Sequence, residues 1–132
     1  LKSNISQERY LTNIKNVSQR TALTKLRLSN HLLMIEKGRH QSMQLFDRTC
    51  PFCPKKIETE QYFVLKCPTY SHIRKKLFDA IKKTNDSPLP EDDNSLHRLL
   101  LADPEISPFI AKYIKISMEL RTFLLFNARN KW

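Results

Sequence analysis

Three residues of this chain have types and a spacing that could do chemistry: Cys50, Cys53 and Cys67. Two residues separate the first pair, so a tight turn can aim both sulfurs at one point, as half of a tetrahedral zinc site requires. Cys67 can then supply a third thiolate. No fourth ligand stands out beside them. The same residues admit other readings. Cys-Pro-Phe-Cys fits the frame of thiol oxidoreductases, in which a helix N-terminus activates the first thiol. That arrangement needs a preceding strand and alternating strands and helices, whereas the flanks here read as helix and loop. A disulfide would leave one cysteine over, and no secretory leader precedes the motif. Three buried thiols acting as small apolar residues are the plain alternative. Zinc is the reading the spacing favours.

The elements around the cysteines must position them. Residues 57–66 read as a short helix or helical turn with a polar start (Glu58, Thr59, Glu60) and an apolar run of Tyr62, Phe63, Val64 and Leu65, which Pro68 ends. Upstream, 5–14 forms a short helix. Then 19–37 forms one long helix, capped by Ser18 and closed by Gly38 in the left-handed conformation. Ala22, Leu26, Leu33, Leu28, Leu32 and Ile35 make it apolar on most of its circumference, and Arg20, Arg27 and His31 share one arc. They serve as a phosphate stripe or as buried partners for Glu58 or Glu60. Residues 39–48 connect to the knuckle, with short strands at 44–46 and near Lys56 and Ile57. Phe52 packs on its own domain, although a base-stacking role is the alternative.

After Pro68 a helix runs from Thr69 or Ser71 to Lys83, burying Ile73, Leu77, Phe78 and Ile81 and exposing Arg74, Lys75, Lys76, Lys82 and Lys83. The segment 84–94 is an exposed polar loop, and its acidic run Glu91, Asp92, Asp93 lacks any defined metal geometry. A short helix at 95–101 follows. Beyond Pro104 and Pro108, the longest C-terminal helix carries Phe109, Tyr113, Ile116, Leu120, Phe123 and Leu124 on its core face. The expected fold is thus mainly α, a multi-helix single domain over 1–132 with a small zinc-knuckle-like insertion that includes a short β-hairpin. Its parts are N-terminal helices to residue 38, the knuckle at 39–69, a basic helix at 70–83, a loop at 84–94 and C-terminal helices from 95.

Taken in order, RTALTKLRLSNHLLMIEKGRH, DRTCPFC and IETEQYFVLKCPTYSHIR resemble the zinc-binding region that follows the polymerase domain in reverse transcriptases of non-LTR (LINE-like) retrotransposons. The matching positions are Arg20, Leu23, Arg27, Leu28, Ser29, His31, Leu33, Ile35, Glu36, Gly38, Arg39, Arg48, Cys50, Cys53, Ile57, Glu58, Glu60, Phe63, Cys67, Tyr70 and Arg74. They span roughly residues 8 to 83, and so many matches in order are more specific than any one motif. One departure stands out: Tyr62 occupies the place of the family's histidine ligand. His72, His40, water or a carboxylate would then complete the shell, or the metal is lost. The resemblance implies a zinc cofactor on Cys50, Cys53 and Cys67, RNA or DNA as partner, and the polymerase domain of a parent protein as neighbour. A first residue of Leu agrees with a fragment of a larger polyprotein.

Charge points the same way. Residues 1–83 hold 17 Lys and Arg against 6 Asp and Glu, a net +11, and 84–132 hold 6 against 7, a net −1. A basic half around the cysteines is the footprint of a surface that neutralises phosphates. Arg39, Arg48, Lys55, Lys56, Arg74 and Lys75 are its candidate contacts. No apolar run approaches the roughly 20 residues of a membrane span, so the expectation is an intracellular protein, nuclear or cytoplasmic, with no small-molecule substrate. No carboxylate cluster suits two-metal nucleotidyl transfer, and there is no phosphate loop. The function expected is non-catalytic gripping of template RNA or target DNA. The alternative is a helical module whose C-terminal helix docks on a partner protein.

Overall fold

In the computed structural model, residues 14–84 and 87–129 are described. The expected helix at 5–14 lies outside them except for Ile14, which is buried. The chain is mainly helical, and the described residues include one two-stranded antiparallel sheet, at the cysteines. In order come α1 (Val17–Arg27), α2 (Met34–His40), a 3-10 turn (Leu45–Asp47), β1 (Thr49–Cys50), β2 (Cys53–Ile57), a π-helical turn (Tyr62–Lys66) and a 3-10 turn (Pro68–Tyr70). Then follow α3 (Ser71–Thr84), α4 (Asp93–Ala102) and α5 (Ser107–Arg129). Helix α5 is the spine: α1, α3 and α4 all pack on it.

The long helix expected over 19–37 is two helices. Asn16, not Ser18, caps the first, its side chain accepting the Gln19 N–H at 3.0 Å while Ser18 Oγ donates to it. Ser29 takes a left-handed φ of 56°, and the chain breaks there. Leu28 and Leu32, expected in the core, are 71% and 70% exposed as a result. The cause lies far away in sequence. The Glu58 carboxylate accepts the Met34 N–H at 2.8 Å and the Glu58 carbonyl accepts the Ile35 N–H at 3.0 Å. A helix N-terminus leaves such N–H groups without partners and favours negative charge beside it, so Glu58 starts α2 anew. His31 bridges the break: its Nδ1 accepts the Leu33 N–H, and its Nε2 lies 3.6 Å from Glu60 Oε2.

Gly38 does not close a helix in the left-handed region; it lies inside α2, and no described glycine has a positive φ. Its role is room. A Cβ at this position would stand 2.4 Å from Arg48 Cγ, so the Arg48 stem crosses the helix where a side chain is missing. The strand expected at 44–46 is instead the 3-10 turn, whereas the one near Lys56 and Ile57 is β2.

The core gathers Leu23, Leu26, Leu33, Phe63, Tyr70, Ile73, Leu77, Leu100 and Ile110. Phe63 meets Tyr70 edge-on at 4.9 Å between ring centres, a favoured aromatic geometry. On α3, Ile73, Leu77 and Ile81 are buried as expected. On α5 the expected stripe is buried only in part: Tyr113 is in the core and Phe109 and Leu120 pack against it, but the fully buried face runs Ile110, Tyr113, Ile114, Ser117 and Arg121, leaving Ile116 and Phe123 exposed. Among its described side chains one cation, Arg121, is buried, and it sets this face. Arg121 donates to both Glu58 oxygens, at 3.1 and 2.7 Å, with the two side chains 6% and 1% exposed.

Removing one partner of such a pair strands a buried charge. Arg121→Met should cost about 3–5 kcal/mol, measured by urea denaturation, and adding Glu58→Gln in the same protein should recover part of that loss. Additive losses would contradict the pairing.

Candidate functional site

The cysteine hairpin is built from both ends. Cys50 and Cys53 face each other across the β1–β2 turn, and Phe52 within that turn packs against the core, as expected. The third sulfur arrives by a different route. Thr59 starts the next turn, its Oγ1 accepting the Tyr62 N–H and its carbonyl the Phe63 N–H. The chain then widens into a π-helical turn closed by Cys67 N–H donating to the Tyr62 carbonyl at 2.9 Å. Such wide turns are rare and concentrate at functional sites. Here the extra residue delivers Cys67 to the hairpin.

The result is a compact trio. Cys67 Sγ lies 3.8 Å from Cys50 Sγ and 3.6 Å from Cys53 Sγ, and all three sulfurs fall within 4.8 Å of one another. Sulfurs bound tetrahedrally at ~2.3 Å stand about 3.8 Å apart along the tetrahedron's edge. The trio therefore has the dimensions of one face of a thiolate metal site, and the three cysteines could hold a metal ion. Among the described residues no histidine or carboxylate joins them, so neither His40 nor His72, both exposed, completes the cluster. Tyr62 neighbours the trio: burial holds its phenol above the ordinary range, and the nearby cysteine sulfurs, Cys53 first, add to the effect.

Thiol redox chemistry fits poorly. Burial pushes the Cys50 thiol up, with the Glu58 and Cys67 charges adding to the effect. A reactive thiol needs the opposite shift and a helix N-terminus or cation beside it. Cys50 is buried on a strand instead.

The carbonyls that the π turn releases are collected by Arg74. Its Nε donates to Val64 O at 2.8 Å, and its Nη2 to Cys67 O at 2.9 Å, Phe63 O at 3.3 Å and the Tyr113 hydroxyl at 3.1 Å. Tyr113 in turn donates to Phe63 O at 2.7 Å, and burial pushes its phenol up to about 12. Arg48 is similarly engaged, donating twice to Met43 O and once to Ile35 O. These two candidate phosphate contacts thus brace the knuckle from inside. Arg39 reaches outward but grips Glu36 with two donors, at 2.9 and 2.7 Å.

Lys55, Lys56 and Lys75 are exposed. The first two share an irregularity of the hairpin, where the register shifts between Thr49 and Cys50 and Lys55 takes a left-handed φ of 69°. A bulge of this kind re-aims side chains. A lysine there costs about 1 kcal/mol that glycine would not. Lys75 stands apart, on α3. Arg20 and Arg27 on α1 are not joined in one arc with His31, which lies beyond the helix break and is paired with Glu60. The residue most easily missed in the sequence is Phe46, 80% exposed on the 3-10 turn. The only hint of it was a Leu-Phe pair with no periodic apolar partner.

No protein-family model, no curated protein and no solved structure matches this chain. No described helix is long and apolar enough to cross a membrane.

Stripping bound metal with a chelator, or Cys67→Ser, should lower unfolding stability by about 3 kcal/mol, as expected for an ion present at ~100-fold over its Kd. The loss should also appear as pH falls and the thiolates protonate. Thermal denaturation with metal analysis checks this; unchanged stability would remove the metal from the account. Lys55→Gly separates structure from function. It should stabilise the hairpin by about 1 kcal/mol while weakening any polyanion that Lys55 contacts, and a gain in both would contradict the functional reading of the bulge.

Proposed function

We propose that this chain is a non-catalytic, zinc-holding nucleic-acid-binding domain, of the kind that follows the polymerase domain in LINE-like reverse transcriptases. The observation that carries it is the three-sulfur face at one end of a hairpin whose bulge presents Lys55 and Lys56. A knuckle fixed at its base by metal and raised at its edge by cations suits contact with a phosphate backbone, which needs charge and position but no base reading. Zinc is the ion that best fits three thiolates at these separations. The fourth ligand falls to water, since Tyr62 replaces the family's histidine and no histidine or carboxylate joins the trio among the described residues. The metal's part is structural: it ties the π turn to the hairpin, so that Lys55 and Lys56 project from a fixed base.

Within this reading the six candidate cations divide by their partners. Lys55, Lys56, Lys75 and the outer edge of Arg39 meet phosphate, and Arg48 and Arg74 hold the elements beneath them. RNA and single-stranded DNA serve equally on charge alone. The basic composition of residues 1–83, a net +11, supplies the wider field.

A second reading has an observation of its own. Ile116, Phe123 and Phe126 lie exposed on α5, and the last two line a shallow apolar groove with Met118. In a parent protein this face of α5 docks on the neighbouring polymerase domain, so the two readings are compatible.

Replacing Lys55, Lys56 and Lys75 together by Gln should weaken binding to single-stranded RNA. The slope of log affinity against log salt should fall by about 2, three contacts at ~0.7 each. Affinity that ignores both salt and these substitutions would overturn the proposal.

A further inference from the structure

The segment Gln44-Leu45-Phe46-Asp47 sits between the α2 helix and the cysteine hairpin, and it is a tightly tied loop. Met43 N–H donates to Gly38 O at 2.8 Å, Asp47 N–H to Gln44 O at 3.0 Å, Arg48 N–H to Leu45 O at 3.1 Å and Glu58 N–H to Arg48 O at 2.9 Å. Arg48 closes the loop with two bonds to the Met43 carbonyl, at 3.1 and 2.8 Å, and its stem fills the space over Gly38. The turn also packs on both α2 and β2. At its tip the Phe46 ring is 80% exposed, the most exposed large apolar side chain among the described residues. A ring at the end of a floppy loop would be unremarkable; one carried on a turn fixed at both ends by hydrogen bonds is held out in a single orientation.

Its setting is cationic. Residues 34–57 hold Lys37, Arg39, Arg48, Lys55 and Lys56 against Glu36 and Asp47, which is five minus two, or +3. Arg39 is exposed near the end of α2, and Lys55 and Lys56 on the β2 bulge, so the two elements against which the turn packs both carry outward cations. An apolar ring on a turn packed against two cation-bearing elements matches one kind of occupant: a polyanion that also offers flat aromatic faces. Single-stranded nucleic acid does this, since every base has a face to stack and every phosphate a charge to neutralise. A duplex hides those faces within its own stack.

We infer that Phe46 is a base-stacking platform that makes the domain prefer single strands over duplex. This rests on the nucleic-acid reading above and adds to it the class of strand. Arg48 then acts as a positioning residue, holding the ring rather than touching the ligand.

The test is fluorescence anisotropy with the whole chain in its metal-loaded form, at fixed salt. The probes are a labelled oligouridylate, the same backbone carrying abasic sites, and a duplex. Phe46→Ala should weaken oligouridylate binding by about 5- to 150-fold, the range for loss of one stacked base, while abasic and duplex affinities move less than about twofold. Phe46→Trp should restore binding, and its indole emission, read in a Trp132→Phe background, should be quenched on adding oligouridylate but not the abasic strand. If the parent chain binds all three probes with the usual salt dependence and Phe46→Ala changes none of them, the stacking role falls while phosphate gripping stands, and the ring belongs to a protein contact instead. Equal weakening of oligouridylate and abasic strand would also overturn it. If the parent chain binds no probe at all, the nucleic-acid reading falls, and this inference with it.

Discussion

Glu58 sits at the end of the cysteine hairpin, 1% exposed, with every part of its carboxylate engaged. One oxygen accepts the Met34 N–H that opens α2 and also a guanidinium N–H of Arg121; the other accepts from Arg121 alone. Its backbone N–H and carbonyl bond to Arg48 and Ile35. A buried carboxylate without partners would cost several kcal/mol and pick up a proton instead. The pairing therefore obliges the hairpin, the short helix and the α5 spine to meet at one point. The break in the first long helical stretch, the rotation of α5 and the placement of the sulfurs all follow from that meeting.

The knuckle is thus tied to the helical body on both sides of its cysteines. Glu58 holds the strand that leaves the hairpin, and Arg74 holds the π turn that brings back Cys67. Each does so by satisfying backbone or carboxylate groups that have no partner within their own element, which is why two cations of the basic half face inward. Those left outside, on the bulge and on α3, are free to act on something else. The strain of a left-handed lysine at position 55 is the kind of local cost that persists where a side chain must point in a chosen direction.

What could be seen in the sequence was whatever local periodicity or spacing controls. The Cys-x2-Cys turn, the β2 strand near Lys56 and Ile57 and the buried stripe of α3 were legible for that reason, whereas α4, expected from Ser95, starts two residues earlier at Asp93 with Asp92 as its cap. The break at Ser29 was not, because the residues from 19 to 37 are apolar on most of the circumference and the group that caps Met34 and restarts the helix lies 24 residues beyond it. Periodicity also misplaced part of the core face of α5, Ile116 and Phe123. It weighed the aromatic residues by hydrophobicity, whereas the helix turns to bury Ser117 and Arg121. Likewise Arg48 and Arg74 looked like surface cations, and only the fold reveals the carbonyls waiting for them. Glu60 was one of the two partners open to the His31 region, and the fold, across 29 residues of sequence, makes the choice.

The central claim is that a trio of sulfurs, prearranged by the hairpin and the π turn, forms three corners of a structural metal site. X-ray absorption at the zinc edge, on protein purified without chelator, reads this directly. The account predicts one zinc per chain, with three sulfur neighbours at about 2.3 Å and one lighter atom at about 2.0–2.2 Å. Zinc surrounded only by nitrogen and oxygen, or no zinc in a folded chain, would contradict it.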